Sequence, residues 1–279
     1  MNVAAREVPV VADDGHRWML QARLPASPGA SLLWLPGMGI AARHFLPFAE
    51  ALAARGIAVF VHDWRGIGSS SVRAGRGRDW GYRELLTLDL PAAEAAIAHA
   101  TPGLPRIAGG HSLGGQLACC RAALAPGSAD ALWLVASGVP YWRAFPWRTR
   151  WWLPAAYGVL RGITELIGKL PGRRIGFGGE EARGLIRDWT RCGFTGRYAA
   201  AGLAANLESA LSTVTVPVRA VLMTHDWLAP GSSLRALLGK MPQAPATILP
   251  LDEAAPGTPA DHYTWMKQPD ATADLLTGR

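Results

Sequence analysis

The sequence predicts an α/β fold in which a mostly parallel, eight-stranded sheet is flanked by helices and carries a helical insertion. Short apolar runs bounded by turn residues alternate with helix-like stretches, as in a parallel sheet covered on both faces. Alternating hydrophobicity at the start of the chain adds a hairpin of two strands. The 279 residues are enough to bury a large core within one domain.

The elements follow one another in a regular order. The two N-terminal strands are separated by a turn at Asp14 and Gly15. Further strands are predicted at 31–35, 57–62, 106–110, 131–137, 216–224 and 246–251. Helices are predicted at about 43–55, 82–100, 113–125 and 232–239, and from about 263 onward.

The alternation stops after Val139 and resumes near residue 212. We therefore expect residues 1–138 and 212–279 to form the two parts of the core, with residues 139–211 inserted as a cap or lid. An insertion at this point is expected to lie over the carboxyl ends of the strands, which is where ligands bind in open α/β sheets.

Membrane insertion and secretion are not expected. The N-terminus has no apolar run behind a basic start, so it does not resemble a signal peptide, and a cytoplasmic location is predicted. The stretch 151–170 is apolar, but Pro154, Arg161 and Glu165 interrupt it. A spanning helix needs about twenty mostly apolar residues, so a cap helix is predicted here and no transmembrane segment.

Cysteine and charge patterns exclude other classes. Cys119, Cys120 and Cys192 have neither the number of a disulfide framework nor the spacing of a metal site, so free buried thiols are predicted. No metal or other cofactor is predicted. The formal net charge is +7, but eleven Lys and Arg against five Asp and Glu between Val139 and Leu211 account for +6 of it. Because the rest of the chain is nearly neutral, no nucleic-acid partner is expected.

A candidate nucleophile lies in the glycine-rich stretch AGGHSLGGQLACC. Gly110, Ser112 and Gly114 fit the pattern G-x-S-x-G, and the pattern lies after a predicted strand and before a predicted helix. In that context a sharp turn presents the serine hydroxyl above the sheet, and strand and helix cross too closely for side chains other than glycine. Ser112 is therefore the predicted nucleophile.

A serine nucleophile needs a base that a carboxylate orients, and in this type of fold the acid and then the histidine follow the serine along the chain. Asp226 directly follows a late strand, and His262 lies between the last strand and the last helix. His225 is adjacent to Asp226 and poorly placed to pair with it, and Asp252 is expected to be solvated. The predicted triad is Ser112, Asp226 and His262.

Two backbone N–H groups are needed to stabilise the oxyanion of a tetrahedral intermediate. Leu113, the residue after the nucleophile, is one predicted donor, and Met38 in the loop after the third strand is the other. Trp142, Trp147 and Trp151 of the insertion are candidate substrate-binding residues. Together with the neighbouring arginines they would suit an acyl substrate with an anionic portion or an anionic surface, or they would build only the core and the solvated face of the lid.

With these motifs in order, the chain resembles the α/β-hydrolase superfamily over nearly its whole length. The resemblance rests on LPGMG at 35–39, HDWRGIGSS at 62–70, the serine motif, Asp226 and His262. HSLGGQL followed by SGVPYWRAFPWR, LPGRRIGFG and RDWTR is similar to a bacterial group of predicted serine α/β-hydrolases with an inserted cap. The resemblance implies the same triad and a lid formed by the insertion.

The resemblance also implies that Asp63 and Arg65 shape their loop as a structural ion pair. Pro36 stands where many esterases of the superfamily carry His.

The predicted function is serine-dependent hydrolysis of a small to medium ester or thioester through an acyl-enzyme. Amide hydrolysis and acyl transfer would use the same residues, and a non-catalytic protein that binds a ligand or partner in the same pocket is the alternative from another class. Haloalkane dehalogenases and epoxide hydrolases carry Asp at the position of Ser112, which disfavours both. The predicted partner is a small-molecule acyl substrate, and the residues leave the oligomeric state open.

Overall fold

The computed structural model describes residues 3–278 and shows a main sheet of eight strands. The strands of the described chain are β1 (Val3–Val11), β2 (Arg17–Pro25), β3 (Ala30–Leu35), β4 (Ile57–Val61), β5 (Arg106–His111), β6 (Ala131–Val135), β7 (Lys169–Pro171), β8 (Glu180–Ala182), β9 (Val218–Met223), β10 (Ala246–Leu251), β11 (Glu253–Ala255) and β12 (Thr258–Pro259). The main sheet has the order β1-β2-β4-β3-β5-β6-β9-β10. Strand β2 pairs antiparallel with β1 and β4, and the other neighbours pair in parallel. The predicted mostly parallel sheet is confirmed.

Helices cover both faces of this sheet. The α-helices of the described chain are α1 (Leu46–Ala54), α2 (Tyr82–Glu84), α3 (Leu90–Ala100), α4 (Leu113–Leu124), α5 (Trp147–Arg150), α6 (Leu153–Ile167), α7 (Gly172–Ile175), α8 (Arg183–Thr195), α9 (Leu207–Leu211), α10 (Gly231–Leu238) and α11 (Asp270–Thr277). Short 3₁₀ turns lie at Ala42–Phe45, Trp142–Ala144 and Thr264–Met266. Residues of α3, α4 and α10 belong to one apolar cluster, and residues of α1 and α11 belong to another.

Strand β3 shows how the sheet separates these two clusters. Leu33 and Leu35 belong to the cluster with α3, α4 and α10, whereas Leu32 and Trp34 belong to the cluster with α1 and α11. Successive side chains of a strand point to opposite faces, so a continuous apolar run fills both layers.

Prolines account for two differences from the predicted helices. The helix expected at 82–100 contains a π turn at Leu85–Asp89, because Pro91 has no N–H to bond the carbonyl of Thr87. The helix expected from about 263 begins as a 3₁₀ turn, and α11 follows only after Pro269.

The segment between the neighbouring strands β6 and β9 contains α5 to α9 and the small β7–β8 sheet. Its longest helix, α6, has 15 residues, with Pro154 in its first turn and Gly168 in the left-handed conformation at its end. No helix within residues 3–278 has the length and apolar character needed to span a membrane. We refer to residues 139–211 as the inserted segment.

Candidate active site

Ser112 lies at the sharp turn between β5 and α4. Its φ is 54° and its ψ is −119°, a combination that residues with a side chain rarely adopt. Such backbone strain costs on the order of 1–3 kcal/mol and persists only where the surrounding structure imposes it. The turn places Ser112 in the wall of a cavity.

The glycines of the turn allow a close crossing of strand and helix. A Cβ atom on Gly114 would lie 1.9 Å from the carbonyl oxygen of Leu35, and one on Gly110 would lie 2.4 Å from the carbonyl carbon of Gly114. Both contacts are with backbone atoms that cannot rotate away. The glycine spacing of the motif therefore has the steric reason expected from the sequence.

Asp226 and His262 are brought together from the two loops that follow β9 and β12. His262 Nδ1 lies 2.7 Å from Asp226 Oδ2, and both side chains are buried. The other carboxylate oxygen, Oδ1, accepts hydrogen bonds from the backbone N–H groups of Leu228 at 2.8 Å and Ala229 at 3.1 Å. A proton on Nδ1 that is donated to Asp226 leaves His262 Nε2 as an acceptor.

Ser112 and His262 line the same cavity. The hydrogen bonds of residues 3–278 do not include one between the Ser112 hydroxyl and His262, and such catalytic contacts are often long when substrate is absent. His225 contacts the exposed Asp252, and its Nε2 lies 3.2 Å from Oδ1 of that residue. Both residues, which the sequence disfavours for the triad, are exposed to solvent.

His111 links the serine turn to the loop of His262. Its Nε2–H donates to the backbone carbonyl of His262 at 2.9 Å, and its ring is fully buried. Burial holds the pKa of His111 well below its usual value, so the ring is neutral. No role for His111 could be predicted from the sequence, because its partner is a backbone atom 151 positions away.

The two predicted oxyanion donors also line the cavity. Leu113 is the first residue of α4, and Met38 lies in the loop after β3. Trp64 donates its Nε1–H to the carbonyl of Pro36 at 2.8 Å, which connects the 62–70 loop to the loop of Met38.

Asp63 and Arg65 both shape their loop, but they do not pair with each other. Asp63 accepts backbone N–H groups from Ala42 at 2.8 Å and Ser69 at 2.9 Å. Arg65 instead binds the buried Asp89, with Nε 2.8 Å from Oδ2, and Asp14 on the first hairpin turn. The expected ion pair between Asp63 and Arg65 is therefore wrong: Asp63 binds backbone N–H groups of its own and a neighbouring loop, and Arg65 pairs with two other carboxylates.

The cavity has a volume of about 520 Å³ and is lined mainly by apolar side chains. Phe145, Leu153 and Phe177 come from the inserted segment, and Ile40 comes from the core. Among the residues that the structure describes, no Asp or Glu lines it.

The structure places the predicted substrate-binding tryptophans outside this lining. Trp142 packs beside Tyr141, and Trp147 and Trp151 are exposed to solvent. Trp152 and Trp189 of the same segment line the cavity instead. Trp151 and Trp152 lie between α5 and α6, and the direction of the backbone there determines that Trp152 lines the cavity. No periodicity in the sequence predicts that direction.

Glu181 connects the inserted segment to the loop of Met38. It is buried, and its Oε1 accepts the backbone N–H of Gly179 at 3.1 Å, while the N–H of Gly39 also bonds the carboxyl group. The backbones are so close that a Cβ on Gly39 would lie 2.1 Å from the nitrogen of Gly179. Burial raises the pKa of Glu181 to about 7, against the opposing effect of the two N–H groups.

The order of the sheet, the strained serine turn and the Asp226–His262 hydrogen bond define an α/β hydrolase. The family model of the serine aminopeptidases, S33, matches residues 26–174, which is more than half of the chain. The chain belongs to this family, and the predicted superfamily is confirmed. The matched part includes Ser112, Leu113 and Met38.

Solved structures share the fold along the whole chain. The structure of DcsB in complex with its substrate analogue is 16% identical, with a TM-score of 0.67, over 99% of this chain and 98% of that chain. The esterase domain of a Rhodothermus marinus protein is 17% identical, with a TM-score of 0.65, over 100% and 97%. The thioesterase domain from the curacin biosynthetic pathway is 18% identical, with a TM-score of 0.60, over 98% and 99%. A search of curated proteins finds no match.

Proposed function

We propose that the protein is a serine hydrolase that cleaves carboxylic esters or thioesters with an apolar acyl group. The observation that carries this proposal is the 2.7 Å hydrogen bond between His262 and Asp226, in an apolar cavity that Ser112 also lines. The esterase and thioesterase folds among the similar structures support the same reaction class.

The first half of the proposed reaction forms an acyl-enzyme. Ser112 Oγ attacks the acyl carbonyl carbon while its proton passes to His262 Nε2, and Asp226 stabilises the imidazolium. The carbonyl oxygen becomes an oxyanion, which accepts the N–H groups of Leu113 and Met38. As the bond to the leaving group breaks, His262 returns the proton to the departing alcohol or thiol.

The second half uses the same residues on water. His262 takes a proton from a water molecule as its oxygen attacks the acyl carbon, and the bond to Ser112 then breaks with return of that proton to Oγ. The products are a carboxylic acid and the free enzyme. Acyl transfer follows the same steps with another acceptor in place of water.

The family name makes peptide hydrolysis a second candidate. An aminopeptidase binds a positively charged α-amino group, for which a nearby carboxylate is the ordinary partner. Because no Asp or Glu of the described residues lines the cavity, its chemistry favours an uncharged acyl group over a free amino terminus. We also place the protein in the cytoplasm, in keeping with three free, buried cysteines.

The test is covalent labelling with a fluorophosphonate, followed by turnover of acyl esters of graded chain length. We expect wild type to be labelled on Ser112 and Ser112→Ala to lose both labelling and turnover. The exposed Ser27 offers a matched control, and Ser27→Ala should keep both. Labelling that persists in Ser112→Ala would refute the assignment, and turnover of peptides but not esters would favour the second candidate.

A further inference from the structure

Large apolar side chains surround the mouth of the cavity. Five residues line the cavity and are nevertheless substantially exposed: Trp152 (45%), Val159 (60%), Ile175 (42%), Trp227 (55%) and Tyr263 (49%). We call these five residues the apolar rim. The rings of Trp152 and Trp227 are 5.9 Å apart, so the rim continues from the inserted segment to the core. Extended exposed apolar patches on soluble proteins usually mark an interaction site.

One face of α6 extends this rim outward. Val159, Ile163, Leu166 and Ile167 follow the spacing i, i+4, i+7 and i+8, which places their side chains along one side of a helix. Val159, Leu166 and Ile167 are exposed. The same apolar face therefore begins in the cavity and ends in solvent.

Two tryptophans and two arginines lie next to the rim, on α5 and on the residue that follows it. Trp147 and Trp151 are 63% and 68% exposed and lie four residues apart, on one side of the helical turn. The guanidinium of Arg148 lies 5.5 Å from the ring centre of Trp147, and that of Arg150 lies 5.4 Å from the ring centre of Trp151. Each exposed indole is thus accompanied by a positive charge.

Two more arginines flank the rim on α7. Arg173 and Arg174 are exposed and directly precede Ile175. With Arg148 and Arg150 they form what we call the rim arginines. Within residues 3–278, none of the four forms a salt bridge.

The exposed Glu165 and the half-exposed Glu180 of the inserted segment already have partners. Glu165 pairs with Arg187, and Glu180 pairs with Lys169. Glu180 also attracts Arg173 and Arg174 electrostatically, although it forms no salt bridge with them. The positive charge of Arg148 and Arg150 has no acidic partner among the salt bridges of residues 3–278 and remains available to an external anion.

We propose that the apolar rim and the rim arginines dock this protein on an anionic lipid surface, with the mouth of the cavity facing the lipid. Tryptophan is enriched at the boundary between headgroups and acyl chains, where an apolar ring and a polar N–H are both accommodated. Arginines beside it are attracted to anionic headgroups. An apolar face flanked by basic residues is the pattern of surfaces that lie in this interface.

Docking in this orientation gives an acyl chain a continuous apolar path from the lipid to Ser112. That consequence rests on the proposed function, whereas docking itself does not require turnover. Binding can therefore be measured on Ser112→Ala, so that failure of docking and failure of the hydrolase assignment give different results.

The experiment measures partitioning of Ser112→Ala onto vesicles of phosphatidylcholine alone or mixed with phosphatidylglycerol. We expect binding to the anionic vesicles, weakening with salt, and quenching of tryptophan fluorescence by brominated lipid. In that background, changing Arg148, Arg150 and Arg173 to Gln should lower partitioning by about a hundredfold. Changing both Trp147 and Trp151 to Ser should reduce the quenching of tryptophan fluorescence by brominated lipid. Partitioning onto the anionic vesicles should also be weaker than that of the parent protein.

The matched control removes the same charge elsewhere. Arg6, Arg17 and Arg78 are exposed outside the inserted segment, and their triple change to Gln should leave partitioning within about twofold of the parent. An equal loss in both triple variants would show that net charge alone drives binding and would overturn the proposal. Absence of binding to anionic vesicles would overturn it as well, and a concentration-dependent dimer that shields the rim would assign the surface to a second copy instead.

Discussion

Replacing Glu181 by Gln should strongly change the dependence of the protein's stability on pH between pH 5 and pH 8. The carboxyl group is buried, its pKa is raised from 4.5 to about 7, and burial is the main cause. A carboxyl group whose pKa is raised by folding contributes its full stability when the pH is below its pKa in the unfolded chain. As the pH rises from that pKa toward 7, the unfolded chain ionises first and this contribution to stability is lost. Linkage with these two values gives a loss of about 2–3 kcal/mol of unfolding free energy between pH 5 and pH 8.

The measurement is urea unfolding of wild type and Glu181→Gln at pH 5 and pH 8, followed by tryptophan fluorescence. Burial also lowers the pKa of His62 to about 4 and holds the pKa of His111 well below its usual value, so both rings disfavour folding in acid. Because these histidines are present in both proteins, their effects cancel in the difference. Relative to wild type, Glu181→Gln should gain about 2–3 kcal/mol from pH 5 to pH 8.

The neighbouring Glu180 supplies the control. It is partly exposed and paired with Lys169, which lowers the pKa of its carboxyl group, so the stability that it contributes is lost only in more acidic solution. Glu180→Gln should therefore differ from wild type by a similar amount, at most about 1 kcal/mol, at both pH values. If Glu181→Gln also shows the same difference at pH 5 and pH 8, the reasoning about the buried carboxyl group is wrong.

Two further changes test the assembly of the site. Asp226→Asn should lower kcat for acyl esters by about 10³–10⁴-fold, because the amide no longer fixes the tautomer of His262. The circular dichroism spectrum should not change. A near-normal kcat would mean that another residue is the acid of the triad. Gly114→Ala should destabilise the fold by about 3 kcal/mol or more in denaturant unfolding, since its Cβ would meet the backbone of β3 at 1.9 Å. Gly158→Ala, which meets no atom within 4 Å on exposed α6, should instead stabilise it by about 0.5–1 kcal/mol, and equal effects of the two changes would refute the steric argument.

The sheet and the residues at its carboxyl edge could be predicted because local patterns specify them. Apolar runs of strand length alternate with helical stretches, and G-x-S-x-G requires one particular turn wherever it separates a strand from a helix. Asp226 and His262 follow from chain order and from their positions after predicted strands. Their 2.7 Å contact agrees with that prediction, while their roles in catalysis stay a prediction.

The contacts that position the site could not be predicted in the same way. His111 bonds the backbone of His262, and Glu181 bonds Gly39, so each contact joins residues more than 100 positions apart and follows no period. The choice of Trp152 over Trp151 for the cavity depends on how the chain turns between α5 and α6. Such details arise from tertiary packing, which overrides local patterns.

The interlocked glycines Gly39 and Gly179 have a consequence for redesign of the protein. The backbones at Gly39 and Gly179 meet with no room for a methyl group, so neither segment of the chain can shift without moving the other. A chimaera that exchanges residues 139–211 for the insertion of a homologue must therefore carry a compatible 37–39 loop as well. Changes to the insertion are therefore expected to affect the backbone of the loop that contains Met38 as well.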